Sequence, residues 1–354
     1  MSESLTLGLS ATIRDAIQTI ESSRLSMAVI IDEMGVIKGT ITDGDVRRAL
    51  LSGNGLDDLA TVAFNATPII ADASTTDQEL QALFSLHQIE AIPLVDSSGL
   101  FMRVAHISIF RPDVELEARA DFSAAVIMAG GEGQRLRPIT TNTPKPMIDV
   151  GGMPIIERMV RTLTKAGVSD IFIAINYQGH YIESHFGDGS DFGVSIKYLR
   201  ESEKLGTAGA LSLLPSRPEG PLLVVNGDIL TASDYGKLLA HHKEMEAVIT
   251  VGAVQYQVDI PFGVLETDGA SVTGVAEKPT QRVLCNAGIY VLSPEALDLI
   301  KPSSPIDMTE LIENATLEDV SVSAFPIHEY WSDIGSPPDL EKARRAIAQN
   351  NDDG

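Results

Sequence analysis

Cysteine is almost missing from this chain. Cys285 stands alone among 354 residues, so no disulfide can form within the sequence. A chain of this length without a covalent staple depends on buried apolar cores, and it is long enough for two or three of them. A single thiol fits a reducing compartment, which makes the cytoplasm the expected location. Long hydrophobic runs are also missing: none approaches the roughly 18 residues of a membrane span. The start, "MSESLTLGLSATIRDA", lacks the basic stretch and apolar core of a secretory leader, so none is expected. Positive charge is scarce as well. Twenty-six basic residues face 49 acidic ones, for a formal net charge of −23. A field of that sign repels phosphate polymers and anionic lipid, which excludes nucleic acid and membrane surfaces as expected partners.

What is present begins with a weak internal repeat over residues 1–110. Copy one reads "IRDAIQTIESSRLSMAVIIDEMGVIKGTITDGDVRRAL" and copy two "TDQELQALFSLHQIEAIPLVDSSGLFMRVAHISIF". Each predicts a helix, a short apolar strand, a turn with Asp and Gly, and a second strand. The turns are Asp32–Gly35 and Asp96–Gly99. Apolar residues recur at helical spacing at Ile13, Ala16, Ile17 and Ile20, and at Leu80, Leu83, Phe84 and Leu86. This repeat resembles a tandem pair of CBS domains, expected at 1–60 and 61–116, an α+β module that often binds adenine nucleotides. The resemblance implies a nucleotide contact at Thr42 and Asp45, a hydroxyl for phosphate and a carboxylate for ribose, with AMP or ATP as ligand. His106 and Ile109 occupy those positions in copy two, which therefore lacks the ribose acceptor. Sensor and dimerisation scaffold both remain open, and a homo-oligomer is expected.

"RPDVELEARADF" (111–122) is polar and reads as a linker or short helix. Beyond it the character changes. "AAVIMAG", "IFIAIN", "SIKYLR" and "PLLVVNGD" alternate with helical patterns such as "IIERMVRTLTKAG". That alternation predicts an α/β domain at 122–350, a Rossmann-like and mostly parallel sheet with ligands beyond the carboxyl ends of its strands. "SPPDLEKARRAIAQN" predicts a closing helix.

The strand "AAVIMA" runs into "GGEGQRLRPITTNTPKP". This loop has no GK[ST], and Leu136 stands where a dinucleotide fingerprint needs glycine, so both common phosphate-loop patterns fail. Ala129, Gly130, Gly131 and Gly133 let backbone N–H groups approach a phosphate. Arg135 adds a fork of charged donors and Lys145, between two prolines, a point charge. The stretch resembles the signature of sugar-1-phosphate nucleotidylyltransferases, and the likeness runs from about Ala125 to Ala348. The resemblance implies a loop wrapped around a nucleoside triphosphate, with Arg135 and Lys145 catalytic. Gln134 departs from the usual Thr or Ser, and its amide is expected to reach phosphate.

The same resemblance implies a Mg²⁺ site on Asp228 of "VVNGDIL" and Asp333 of "WSDIG". It implies sugar-phosphate contacts from Glu277, Lys278, Asn286 and Gly288. Gly206 and Thr207 of "ESEKLGTAGAL" are expected along the base. A carboxylate accepts from both N–H groups of guanine, so Glu203, with Glu201 in reserve, points to GTP over UTP or dTTP. The domain order resembles enzymes that activate glucosamine 1-phosphate on the way to legionaminic acid, with mannose or heptose 1-phosphate as alternatives. A non-catalytic sensor of the same fold is the competing reading. Because a sugar phosphate is already anionic, no general base is needed, and none of the seven histidines is assigned a role.

Overall fold

The repeat is realised bond for bond. The computed structural model describes residues 5–23, 25–110, 120–302 and 304–352, without the side chains of 349–352. Copy one contains β1 (Thr6–Gly8), α1 (Ile13–Ser23), β2 (Met27–Ile31), β3 (Ile37–Thr42) and α2 (Asp43–Leu51). Copy two contains β4 (Ala71–Asp72), α3 (Asp77–His87), β5 (Ala91–Val95) and β6 (Phe101–His106). In each, the first strand pairs parallel with the second and the second antiparallel with the third. Both turns close alike: Gly35 N donates to Asp32 O at 3.0 Å, and Gly99 N to Asp96 O at 2.9 Å. The Asp32 and Asp96 carboxylates each accept two further backbone N–H groups. Short Asp side chains stabilise such turns through these local bonds. Thr42 pairs with Met27 and His106 with Ala91, which puts both at the same register position. Of the apolar residues expected inside, Leu86 is instead exposed, since α3 turns only Leu80 and Phe84 fully inward. Most of the expected linker, 111–119, lies outside the described residues.

The second unit is built on β7 (Ala124–Met128), α4 (Ile155–Lys165), β8 (Asp170–Ile175), α5 (Gly179–Phe186), β9 (Ser195–Arg200), α6 (Gly206–Gly209), β10 (Leu222–Asn226), β11 (Ile229–Thr231), α7 (Tyr235–Glu244) and β12 (Ile249–Asp259). A hairpin, β13 (Val264–Asp268) and β14 (Ser271–Ala276), follows. Then come β15 (Thr280–Leu292), α8 (Met308–Leu317), β16 (Val322–Ile327), β17 (Trp331–Asp333) and α9 (Pro337–Asp352). Seven strands form one sheet in the order β16-β12-β15-β10-β7-β8-β9. β10, β7, β8 and β9 run parallel, while β15 is antiparallel to β10. Strands covered on both faces read as continuous apolar runs. In β7, Ala125 and Ile127 face one core with α4, α5 and α7, and Ala124 and Val126 face the other with α8. No helix among the described residues is long and apolar enough to cross a membrane.

The chain divides into two compact units, and the division does not follow the expected boundaries. Residues 255–284 cluster with residues 1–118, although they fall inside the block expected as one α/β domain. Arg282 makes a bidentate ion pair with Asp58, at 2.8 and 3.0 Å, and Gln255 Nε2 donates to Asn54 O at 2.7 Å. Gly55 leaves room for this clasp, since a Cβ there would lie 2.5 Å from Arg282 Nε.

Candidate functional site

Parallel pairing sets β7 beside β10 with Met128 opposite Asn226, so the segments leaving both strands emerge side by side. One is the glycine-rich loop and the other is Gly227–Asp228. β11 then pairs antiparallel with β17, placing Ile229 opposite Asp333. That short ribbon is why two aspartates 105 positions apart in sequence converge. A small core of Leu136, Ile148, Leu230, Ile334 and, from α9, Leu340 fixes loop and ribbon together.

Lys145 sits between the two aspartates. It is buried, with Nζ 2.5 Å from Asp228 Oδ2 and 3.5 Å from Asp333 Oδ1. Burial, then the neighbouring Asp228 charge, push the Asp333 carboxyl above its ordinary value, against Lys145 and Arg135. Two carboxylates this close need a cation, and the lysine supplies one.

A cleft of about 290 Å³ opens over this group. Ala129, Gly130, Gly131, Lys145, Gly206, Thr207 and Asp228 line it, as the sequence suggested. Gly133 lies beneath, against the Lys145 stem. Gln134 is exposed and donates to Glu132 at 2.7 Å, within its own loop. Arg135 is exposed, and its charge favours the ionised Asp333. The Asn286 side chain accepts from Gly288 N at 2.9 Å. Glu277 and Lys278 are exposed between β14 and β15.

The structure separates the two glutamates considered for the base. Glu203 is exposed and does not line the cleft, whereas Glu201 does. Glu201 Oε2 accepts from Leu205 N at 3.0 Å. A Cβ on Gly130 would lie 2.8 Å from Glu201 Oε1, so glycine there admits the carboxylate. Burial raises the Glu201 carboxyl, with the Leu205 N–H opposing. Sequence reasoning also missed Asp307, Asn226 and Lys204, all on the cleft wall. Asp307 accepts from Thr207 N at 2.9 Å, and Thr207 Oγ1 accepts from Met308 N, tying α6 to the start of α8. The Asn226 Oδ1 atom is buried without a protein partner. The signal for Asn226 was its position two residues before Asp228; Asp307 gave none beyond a helix-cap pattern.

With this geometry in view, the nucleotidyl transferase family profile matches residues 124–350. This chain belongs to the nucleotidyl transferase family. A CBS domain profile matches residues 1–52. Relatives of the transferase include the mannose-1-phosphate guanyltransferase of Kluyveromyces lactis, 35% identical over 230 residues. The mannose-1-phosphate guanylyltransferase of Mycobacterium tuberculosis is 31% identical over 224 residues. Both alignments take in 61% of this chain and 62% of the relative, so the chain spans about three fifths of the curated relatives it matches. Among solved structures, a candidate glucose-1-phosphate thymidylyltransferase of Bacillus anthracis superposes with a TM-score of 0.52 at 26% identity. It covers 63% of the transferase chain and 94% of its own. HddC of Yersinia pseudotuberculosis gives a TM-score of 0.50 at 28% identity, over 63% and 99%.

In the CBS domain, Thr42 and Asp45 are brought together, but on each other. Asp45 Oδ2 accepts from Thr42 N and Oγ1 at 2.8 and 2.6 Å, and Oδ1 accepts from Arg48 at 2.5 Å. This is a capping box, and α1 and α3 begin with the same device at Thr12–Asp15 and Thr76–Glu79. The Thr-x-x-acid spacing therefore has a structural use three times in this unit.

Proposed function

We propose that the transferase moves a nucleotidyl group, preferentially GMP from GTP, onto a sugar 1-phosphate. The observation that carries this reading is the cleft itself: glycine-rich loop on one wall, Glu201 on another, and Lys145 with two aspartates on the floor. A sugar-phosphate oxygen would form a bond to the α-phosphorus while the bond to the β-phosphate bridge breaks and pyrophosphate leaves. Both reactants are anions, so positioning and charge neutralisation dominate the barrier. Asp228 and Asp333 offer hard oxygen donors that already share one cation, which suits Mg²⁺. When bound, the ion supplies charge neutralisation at phosphate oxygens. Lys145 would then be released toward the α-phosphate, Arg135 would carry charge on the departing pyrophosphate, and Lys278 would meet the sugar phosphate. A cytoplasmic location accords with the lone thiol.

Each NTP offered with mannose, glucosamine and heptose 1-phosphates, with pyrophosphate followed, tests this. Mannose 1-phosphate heads the panel because the relatives are named for it. GTP is expected to lead, and a clear lead for UTP or dTTP overturns the guanine reading. Glu201→Gln is expected to cut kcat/KM for GTP at least about tenfold, since a buried acceptor is lost, while UTP suffers less. A larger effect from Glu203→Gln would return the base contact to Glu203.

For the N-terminal unit, the engaged Asp45 carboxylate and the Arg282–Asp58 clasp favour a holding role over nucleotide sensing. Asp45→Ala and Asp15→Ala are each expected to cost about 1 kcal/mol of stability through a lost cap. Titrating AMP and ATP should raise no melting temperature. Stabilisation of wild type and Asp15→Ala, but not of Asp45→Ala, would establish a nucleotide site instead.

A further inference from the structure

Charge in the cleft is badly matched to a triphosphate. Its lining carries four carboxylates, Glu132, Glu201, Asp228 and Asp307. Among the described lining residues, the cationic side chains are those of Lys145 and Lys204. Lys145 is committed to Asp228 and Asp333 on the floor. That leaves Lys204. Its ammonium group pairs with Glu132, so a bond runs from the segment before α6 to the middle of the glycine-rich loop. The other Glu132 oxygen accepts from Gln134 at 2.7 Å. Glu132 is thereby held well below the usual carboxylate range, with Lys204 the leading cause.

We propose that Lys204 is a nucleotide-binding residue that trades its ion pair with Glu132 for the phosphates of the incoming nucleoside triphosphate. This rests on the reading of the cleft as a triphosphate site. The Lys204 side chain is 70% exposed, and an ion pair so open to water is worth only about 0–1 kcal/mol. Exchange therefore costs little. The gain is larger, because a phosphate chain carries several charges where Glu132 carries one, and Lys204 is a flexible point charge. Glu132 has the opposite effect. Standing inside the loop that faces the phosphates, it repels them unless a cation covers it. Its bond to Lys204 parks the cation at the cleft and holds the two walls in register before the nucleotide arrives.

A purely structural ion pair and an exchanging one differ in sign. If the pair only braces two loops, breaking it from either side weakens nucleotide binding alike. If Lys204 exchanges, Lys204→Met weakens binding and Glu132→Gln strengthens it. The test is calorimetric titration of the full chain and both variants with GTP, ATP, CTP and UTP. GMP is titrated beside them. For the best triphosphate, Lys204→Met is expected to raise Kd about five- to tenfold and Glu132→Gln to lower it about twofold or more. The Lys204→Met defect should shrink on going from GTP to GMP, because the lost contact is to phosphate. Equal weakening by both variants, or a defect as large for GMP as for GTP, overturns the exchange while the triphosphate reading stands. If the wild-type chain binds none of the four triphosphates, that reading fails and the Lys204 role falls with it.

Discussion

Asp228→Asn is expected to lower turnover at least about tenfold, or ~1.4 kcal/mol in the barrier, while leaving the fold intact. The substitution keeps shape and removes one charge. In the wild type that charge sits 2.5 Å from Lys145 Nζ and on the same cation as Asp333. Losing it weakens any divalent ion held by the pair, because carboxylate donors bind hard cations through their charge. The Asp333 carboxyl should also fall back toward its ordinary value, since the Asp228 charge is the second cause of its rise. Steady-state pyrophosphate release across a Mg²⁺ series checks this. Turnover near wild type at every Mg²⁺ concentration would remove Asp228 from the machinery.

Lys145→Ala is expected to do two things at once. Turnover should fall by at least as much as with Asp228→Asn, because the buried ammonium beside the α-phosphate position is gone. Stability without metal should also fall. Two neighbouring carboxylates then share no cation, and their side chains are 30% and 43% exposed, so water screens part of the repulsion. The cost lies between a surface pair, about 0–1 kcal/mol, and a buried one, about 3–5 kcal/mol; we expect about 1–2 kcal/mol. For a unit of this size that is a melting shift of about 2–8 °C. Mg²⁺ should restore more stability to the variant than it adds to the wild type, because an ion that binds only the folded state stabilises by mass action. A variant with wild-type melting and no extra response to Mg²⁺ would mean that Lys145 does not compensate the aspartates.

Sequence carried much of this, and its failures have physical causes. The Asp-turn repeat was readable because local bonds from Asp32 and Asp96 impose it. The sheet was readable because both faces of β7 and β10 are covered, which demands apolar runs. Asp228 and Asp333 came from resemblance alone, since only the β11–β17 register brings them together. The preference for Glu203 over Glu201 failed for want of a periodic pattern in 201–205. There, a Leu205 N–H and the missing side chain of Gly130 decide which carboxylate turns in. Thr42 and Asp45 show a different limit. The spacing that suits a ribose and a phosphate is also the spacing that starts a helix, and no amount of pattern matching separates them.

The clasp of Arg282 on Asp58 joins residues 224 positions apart, and it makes the linker at 111–122 a false seam. Gene fusion at that seam would bring in Asp58 without the arginine that answers it. Excision at the same point would strand residues 255–284, which contribute little buried apolar surface of their own. The two stretches must therefore have been acquired, and must now vary, as a set. A chimera that exchanges the first 110 residues between related chains should keep its solubility only when the 255–284 arm travels with them.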